Sequence, residues 1–404
     1  MDTSSNPRLL QVFNRYLDKG GEESWVETMS DILGREYEIS ECVFDSHDWT
    51  GPSAPPSWQQ ALRMFYNPAS IRHLRTATES RRPQAWIVHN VFPVGSAAVY
   101  REALRLRIPV IQYVHNFRPF SVNGYLWADN SVAIEGLKRR YWQEISHGAW
   151  QGSRAKTAWF AAILTAMHRL RWFRGVKAWV AISDFMRARF IEAGVPAENI
   201  FTLRHCWQPE NESPSFSDQD YYLFLGRLIP AKGVQVLLDA WHALRMEKGD
   251  KAPRLIICGE GPLEEQIRHA TQENPLIEFR GLVTGIEKTK LLSQCRAMIA
   301  PSLWWEPLGL VTYEAYDYAK PMLAARSGGL TETVVDSVTG YLHEPGNATE
   351  LASHVLRLEA NIALRRAMGE AGRQWLLDNA GLQKWVEGFR RIVNHALQVN
   401  GRHV

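Results

Sequence analysis

"CWQPENESPSFSDQD", residues 206–220, is polar, holds two prolines and has no apolar period, so it reads as a linker. What flanks it decides the fold. Before it, short apolar runs alternate with longer helical patterns: "LLQVF" (9–13), "EISECVF" (38–44), "AWIVHN" (85–90), "VIQYVHN" (110–116), "AWVAIS" (178–183) and "IFTLRH" (200–205). After it the alternation resumes with "YYLFLGR" (221–227), "RLIICG" (254–259), "IEFRG" (277–281), "AMIAPS" (297–302), "PMLAAR" (321–326) and "GYLHE" (340–344). Unbroken apolar runs suit strands buried on both faces, and their alternation with helices predicts parallel sheets.

A chain of 404 residues exceeds one average core. The sequence therefore predicts an α/β protein of two doubly wound, Rossmann-like domains facing across a cleft. Their expected bounds are 1–208 and 221–381, with a linker at 209–220. A helical segment at 382–404, carrying "LQKWVEGFRRIVNHALQ" (382–398), is expected to pack back across the junction.

Composition narrows the class. Hydrophobic content of 45% and charged content of 22% are those of a globular protein. Cys42, Cys206, Cys258 and Cys295 are far apart and form no metal or redox pair, which suits reduced thiols in a cytoplasmic protein. No run approaches the ~20 apolar residues of a membrane span, and "MDTSSNPRLLQVFNR" lacks signal-peptide character.

Ligands of doubly wound sheets bind beyond the carboxyl ends of the strands. After the first strand, "DKGGEES" places Gly20 and Gly21 ahead of a helix expected from about Glu22. The pair either lets a phosphate approach free N–H groups or makes a tight turn. "LGRLIPAKG" puts Arg227 and Lys232 in one loop, where they either grip a diphosphate or stay solvated.

"WWEPLGLVTYEAY" (304–316) follows another strand. Pro307 suits a first helical turn, which would aim the N–H groups of Gly309, Leu310 and Val311 at an anion. If helical throughout, Glu306 and Glu314 stand about 12 Å apart along one face, as two ligand-facing carboxylates or two ordinary surface acids. "RSGGLTETVVDSVTGYLHE" repeats the strand, paired glycines, helix arrangement at Gly328 and Gly329, with a helix expected near Thr331. His89, followed by Asn90, and His115 end strands, positions suited to a sugar hydroxyl or to structure. No Asp-x-Asp pair follows a strand and no His or Cys cluster appears, so no metal site is expected.

Together "GGEE", "YVHNFRP", "AISDFMRARFIEAGVPAENI", "FLGRLIPAKGV", "ICGEGPLEEQI", "EFRGLV", "EPLGLVTYEAY" and "RSGGLTETVVDSVTGYL" resemble the family-four (group 1) retaining glycosyltransferases of the GT-B fold. The resemblance implies a sugar transferred with retention from a nucleoside-diphosphate-sugar donor to a carbohydrate or lipid-linked acceptor, without a metal or other cofactor. It implies that Arg227 and Lys232 hold the diphosphate, Glu306 the transferred sugar and Glu314 the ribose. Gly309 and Leu310 would lie near phosphate and sugar, and Arg280 to Leu282 near the base. Gly20 and Gly21 would approach the phosphates and His115 the reacting carbon, while His89 and Asn90 would face the acceptor. Cell-surface polysaccharide or glycolipid synthesis is the implied setting. Alternatives are nucleotide-sugar hydrolysis or epimerisation, or a non-catalytic nucleotide-sugar-binding subunit. Where relatives carry an Asn-Gly turn after the sixth strand, this chain has "RHCWQPE".

Residues 138–189 hold eleven Lys or Arg against Glu144 and Asp184, within a net charge of +3. Between 156 and 174, Trp159, Ile163, Met167, Leu170 and Phe173 recur at helical spacing beside Lys156, Arg169, Arg171 and Arg174. This segment is either a helix on an anionic membrane, making the protein peripheral on the inner face, or one packed on its own domain. The near balance of overall charge and the lack of any recognition motif exclude a nucleic-acid partner.

Overall fold

The structure is a computed structural model that describes residues 6–17, 20–210, 214 and 218–401. Of the expected linker 209–220, residues 211–213 and 215–217 lie outside the described residues, as does "DK" (18–19) before Gly20. The chain forms two compact units. Unit 1 comprises 1–129, 133–205 and 383–404, and unit 2 comprises 130–132 and 206–382.

In unit 1, β1 (Arg8–Arg15), β2 (Glu38–Asp45), β3 (Ala85–Val88) and β4 (Val110–Val114) precede the short strand β5 (Trp127–Ala128), outside both sheets, and the equally short β6 (Ser131–Val132) falls in unit 2. Unit 1 then continues with β7 (Val176–Ala181) and β8 (Ile200–Thr202). The unit 1 sheet has the order β2-β1-β3-β4-β7-β8, every pair parallel. Unit 2 contains β9 (Tyr221–Leu225), β10 (Arg254–Cys258), β11 (Ile277–Gly281), β12 (Met298–Ala300), β13 (Met322–Ala325) and β14 (Gly340–His343). Their order is β11-β10-β9-β12-β13-β14, again all parallel. Each predicted apolar run is a strand of one of these sheets, and β3, β4 and β13 are buried at every residue, as runs without alternation require.

The strand order reverses between β1 and β3 in the first sheet and between β9 and β12 in the second. Loops on the two sides of such a reversal part and leave a crevice at the carboxyl ends. Every candidate stretch except the β11 loop and Gly328–Gly329 leaves one of these four strands or β4, the neighbour of β3.

Helix Leu382–Gly401 belongs to unit 1 from Gln383 onward. Trp385 meets Trp25 edge-on at 5.6 Å and Phe389 meets Tyr37 at 6.2 Å, all four buried. Burial of an aromatic side chain such as Phe389 contributes roughly 1.5–3 kcal/mol, which ties the chain end to this unit. All four cysteines are free and buried, and burial pushes each thiol up to about 12.

Two helix expectations are corrected. The stretch 156–174 is not one helix: Arg154–Arg169 ends at a break where Arg171 takes φ 56°, and a separate 3-10 turn, Trp172–Gly175, follows. Likewise the helix after "EPLG" begins at Val311, not at Pro307, because Gly309 at φ 85° turns the backbone first.

Candidate active site

In unit 2 the loops after β9 and β12 are joined by backbone. Ala231 O accepts from Leu303 N (2.9 Å) and Trp304 N (3.3 Å). Gly233 makes the approach possible: at φ 74° it presses on the Pro301 carbonyl, where any Cβ would collide. The contact sets Lys232, the last residue of the turn Pro230–Lys232, against the next loop.

There Glu306 is buried and its Oε1 accepts three hydrogen bonds: from Lys232 Nζ (2.5 Å), Ser302 Oγ (2.6 Å) and Trp304 Nε1 (2.9 Å). Oε2 takes none among the described residues. Burial pulls the carboxyl pKa up, but the Lys232 charge and the three hydrogen bonds outweigh it and hold Glu306 ionised below its ordinary value. Lys232 Nζ also stands 5.2 Å from the Trp304 ring centroid. Trp304, to which sequence reasoning gave no role, thus touches both charges. Its signal was the spacing to Glu306, two residues away.

Gly328 and Gly329 serve this same loop. Gly328, at φ 60°, abuts the Glu306 backbone, and a Cβ on Gly329 would meet the Pro307 carbonyl. Gly329 N donates to Glu306 O (2.7 Å) and Ser327 Oγ to Trp304 O (2.5 Å). The paired glycines free space for the Glu306 loop. The N–H groups of Gly309, Leu310 and Val311 have no partner among the described residues, as groups at a helix start.

Glu314 lies in helix Val311–Asp317, and its Oε1 accepts from Lys288 Nζ (2.8 Å). Lys288, on helix Gly285–Gln294, went unnoticed in the sequence because nothing local links positions 26 apart. Glu306 and Glu314 therefore have different cationic neighbours. Arg227 is exposed in the Lys232 loop. Within β11, Arg280 pairs with Glu278 and, at 4.0 Å, with Glu287, while Leu282 and Ile286 stand exposed just beyond the strand.

In unit 1, Gly20 caps helix Gly21–Leu33 in extended backbone, and a Cβ there would meet nothing within 4 Å. The first helical turn aims Glu22, missed in the sequence, at the ends of β3 and β4. It accepts from Tyr16 Oη (2.8 Å), Asn116 Nδ2 (3.2 Å) and the Asn90 N–H (3.3 Å). Burial raises its pKa in spite of those bonds and of the Arg118 charge.

His89 Nδ1 and His115 Nε2 are 2.9 Å apart, so one ring donates to the other. His89 Nε2 and His115 Nδ1 are buried and have no partner among the described residues. Burial lowers His89 to about 3 and, with its neighbouring histidines, holds His115 well below its ordinary value, so both rings are neutral. Asn90 uses its side chain locally, donating to Phe92 O (2.8 Å) and accepting from Phe92 N (3.3 Å). In "RHCWQPE", His205 stacks on Trp25 at 4.0 Å. Glu22, His89, Asn90, His115, Asn116 and Arg118 line a cavity of about 20 Å³, large enough for a water.

Chemically, unit 2 offers a fixed carboxylate with one open oxygen beside a lysine and free backbone N–H groups, and unit 1 a small hydrogen-bonding hollow lined by two neutral histidines with Glu22 and Arg118. Residues 207–375 match the family described as glycosyl transferases group 1, and residues 35–205 match the glycosyl transferase 4-like domain. The chain belongs to the group 1 glycosyltransferases and has their GT-B fold. It is 33% identical over 177 residues to an uncharacterized glycosyltransferase of Methanocaldococcus jannaschii, covering 43% of this chain and 48% of that one. To the GDP-mannose-dependent alpha-(1-6)-phosphatidylinositol monomannoside mannosyltransferase of Mycolicibacterium smegmatis it is 31% identical over 220 residues, or 49% and 57% of the two chains. The chain thus spans about half the length of these curated relatives (48% and 57%). Among solved structures, sucrose-phosphate synthase from Thermosynechococcus elongatus superposes with a TM-score of 0.71 at 15% identity, covering 97% and 100% of the chains. Anabaena HepE with UDP and glucose gives 0.67 at 17%, covering 95% and 99%. At such identities the likeness is one of fold.

Proposed function

We propose that the protein transfers a sugar from a nucleoside-diphosphate sugar to a hydroxyl of a carbohydrate or lipid-linked acceptor. The observation that carries this reading is Glu306: an ionised, buried carboxylate with Oε1 fixed by three donors and Oε2 open to a sugar hydroxyl. Lys232, with Arg227 in the same loop, neutralises the diphosphate, helped by the N–H groups of Gly309 and Leu310. Glu314, oriented by Lys288, takes the ribose hydroxyls, and Leu282 with the Arg280 segment flanks the base. Gly20 and Gly21 leave room for phosphate at the start of their helix. His115, backed by His89, lines the hollow of unit 1 with the Asn90 turn.

In the reaction the bond from the anomeric carbon to the diphosphate oxygen breaks as the acceptor oxygen bonds to that carbon. The acceptor proton goes to the departing diphosphate, and attack comes from the face of departure, which retains configuration. Charge on the leaving group is met by lysine, arginine and backbone donors. The reading includes metal independence, the charge of the leaving diphosphate being met by these donors alone. Mannosyl transfer to a glycolipid, as the name of the Mycolicibacterium relative prints, and use of UDP, with which HepE was crystallised, make GDP and UDP the first donors to try.

The test is a thermal-shift panel of UDP, GDP and ADP with their sugar conjugates, because a ligand of the folded state raises Tm by mass action. One nucleotide should raise Tm in the parent and fail to do so in Lys232→Ala. A parent indifferent to all three nucleotides would refute the reading.

A further inference from the structure

Of the apolar stripe at 156–174, Ile163 (2% exposed) and Met167 (fully buried) pack inward, while Trp159 and Leu170 stand exposed. The opposite face of helix Arg154–Arg169 presents Ala155, Ala158, Trp159 and Ala162, all exposed and spaced i, i+3, i+4, i+7. Trp159 Nε1 donates to Ala61 O (2.8 Å), which fastens helix Ser57–Phe65 alongside. That helix exposes Trp58 (63%) and Leu62 (56%) four residues apart, and Tyr66 continues the row. Two neighbouring helices therefore hold large apolar side chains in water.

Charge says what would cover them. Residues 49–78 and 145–183 contain nine Lys or Arg and no Asp or Glu. Arg75 is paired with Glu102, but Lys156, Arg169 and Arg171 are exposed, and Arg101 stands over the Tyr66 ring at 5.9 Å. A second copy of the chain, meeting this face about a two-fold axis, would set the exposed Lys156, Arg169 and Arg171 against the same cations of its partner. Nucleic acid would gain nothing from Leu62 and the alanines. A surface of anionic headgroups over hydrocarbon answers both properties.

We propose that the face formed by helices Ser57–Phe65 and Arg154–Arg169 docks on an anionic membrane, with Trp58, Leu62 and Trp159 entering the headgroup boundary and Lys156 and Arg169 meeting lipid phosphates. Long basic side chains reach outward from such a face while their stems cover apolar surface. The membrane contact expected of 138–189 thereby moves to the outer side of its helix and gains a second helix. Docking deepens the lipid-linked acceptor reading by placing unit 1 at the surface where such an acceptor lies, yet its test involves no sugar transfer.

The test is flotation of the intact protein with phosphatidylcholine vesicles with and without about 30 mol% phosphatidylglycerol. The parent should float with the anionic vesicles and far less with the neutral ones. Trp58→Ser with Leu62→Ser should lower the partition coefficient about tenfold, as should Lys156→Glu with Arg169→Glu. All four positions are exposed, so Tm and the nucleotide-induced shift should match the parent, which separates failure of docking from failure of donor binding. A parent that stays unfloated, or a W58S/L62S variant that floats equally well, overturns the proposal. So does light scattering showing a dimer that W58S/L62S breaks, which would make the face a self-association surface.

Discussion

Lys232 Nζ lies 2.5 Å from Glu306 Oε1, although 74 residues separate them in sequence. Glycine at 233 and at 328 lets the two loops carrying the pair meet each other and the loop after β13, and the carboxylate is left with one engaged and one open oxygen. Pairing and function are thus joined, since the lysine that orients the carboxylate also faces the proposed diphosphate.

Glu306→Gln preserves shape and removes charge. If Oε2 accepts from the transferred sugar, kcat should fall by roughly 10²–10³ while nucleotide Kd changes by less than about threefold. Steady-state kinetics and calorimetric titration with the nucleoside diphosphate check this. Turnover near the parent's would refute the assignment.

Lys288→Ala removes the partner of Glu314. Both side chains are partly exposed, so stability should change by less than about 1 kcal/mol. The freed glutamate loses its orientation, and KM for the donor should rise several-fold with kcat nearly unchanged. An unaltered KM would mean that Glu314 does not meet the nucleotide.

Most strands were legible because they are apolar runs bounded by loops, and even the mixed runs of β2 and β11 fell in the alternation, whereas the order of the strands within each sheet came from the structure. Local pattern failed where one residue overrode it. Arg171 in left-handed backbone cuts a periodic stretch in two, and Gly309 delays a helix that Pro307 seemed to start. Among site residues, Lys232 and Glu306 were visible through their loops. Glu22 and Lys288 were not, because their roles come from partners far away in sequence, Asn116 and Glu314. The meaning of Gly328 was also hidden, since what it accommodates is the Glu306 backbone.

Acid should destabilise unit 1 early. His89 and His205 are lowered to about 3 and His115 well below 6.5, each chiefly by burial, so unfolding lets them bind protons. Depressed folded-state pKa values give stability that is complete above 6.5 and lost as pH falls below it toward the folded values. Each histidine contributes a slope of up to about 1.4 kcal/mol per pH unit. Urea midpoints measured from pH 7.5 to 5 should fall, and His205→Gln should flatten the curve. A midpoint independent of pH over that range would contradict neutral burial.

Gly328→Ala adds a Cβ that must enter the Glu306 backbone, at a φ of 60° that alanine resists. The cost should be about 1–3 kcal/mol or more, with kcat falling because the Glu306 loop must shift. Alanine at Gly20, where a Cβ meets nothing, should leave Tm unchanged and serves as the control.

Trp304→Phe separates the two contacts of that ring. Phenylalanine keeps an aromatic face near Lys232 Nζ but loses the N–H that Glu306 Oε1 accepts at 2.9 Å. Since that oxygen retains Lys232 and Ser302 as donors, the stability loss should be about 1.5–3 kcal/mol, the range for a hydrogen bond to a charged group. The carboxylate then turns more freely, so kcat should fall about tenfold with donor KM little changed. Trp304→Ala removes ring and donor together and should cost more in both Tm and kcat. If W304F matches the parent in kcat, the indole N–H is structural, and orientation of Glu306 rests on Lys232 and Ser302 alone.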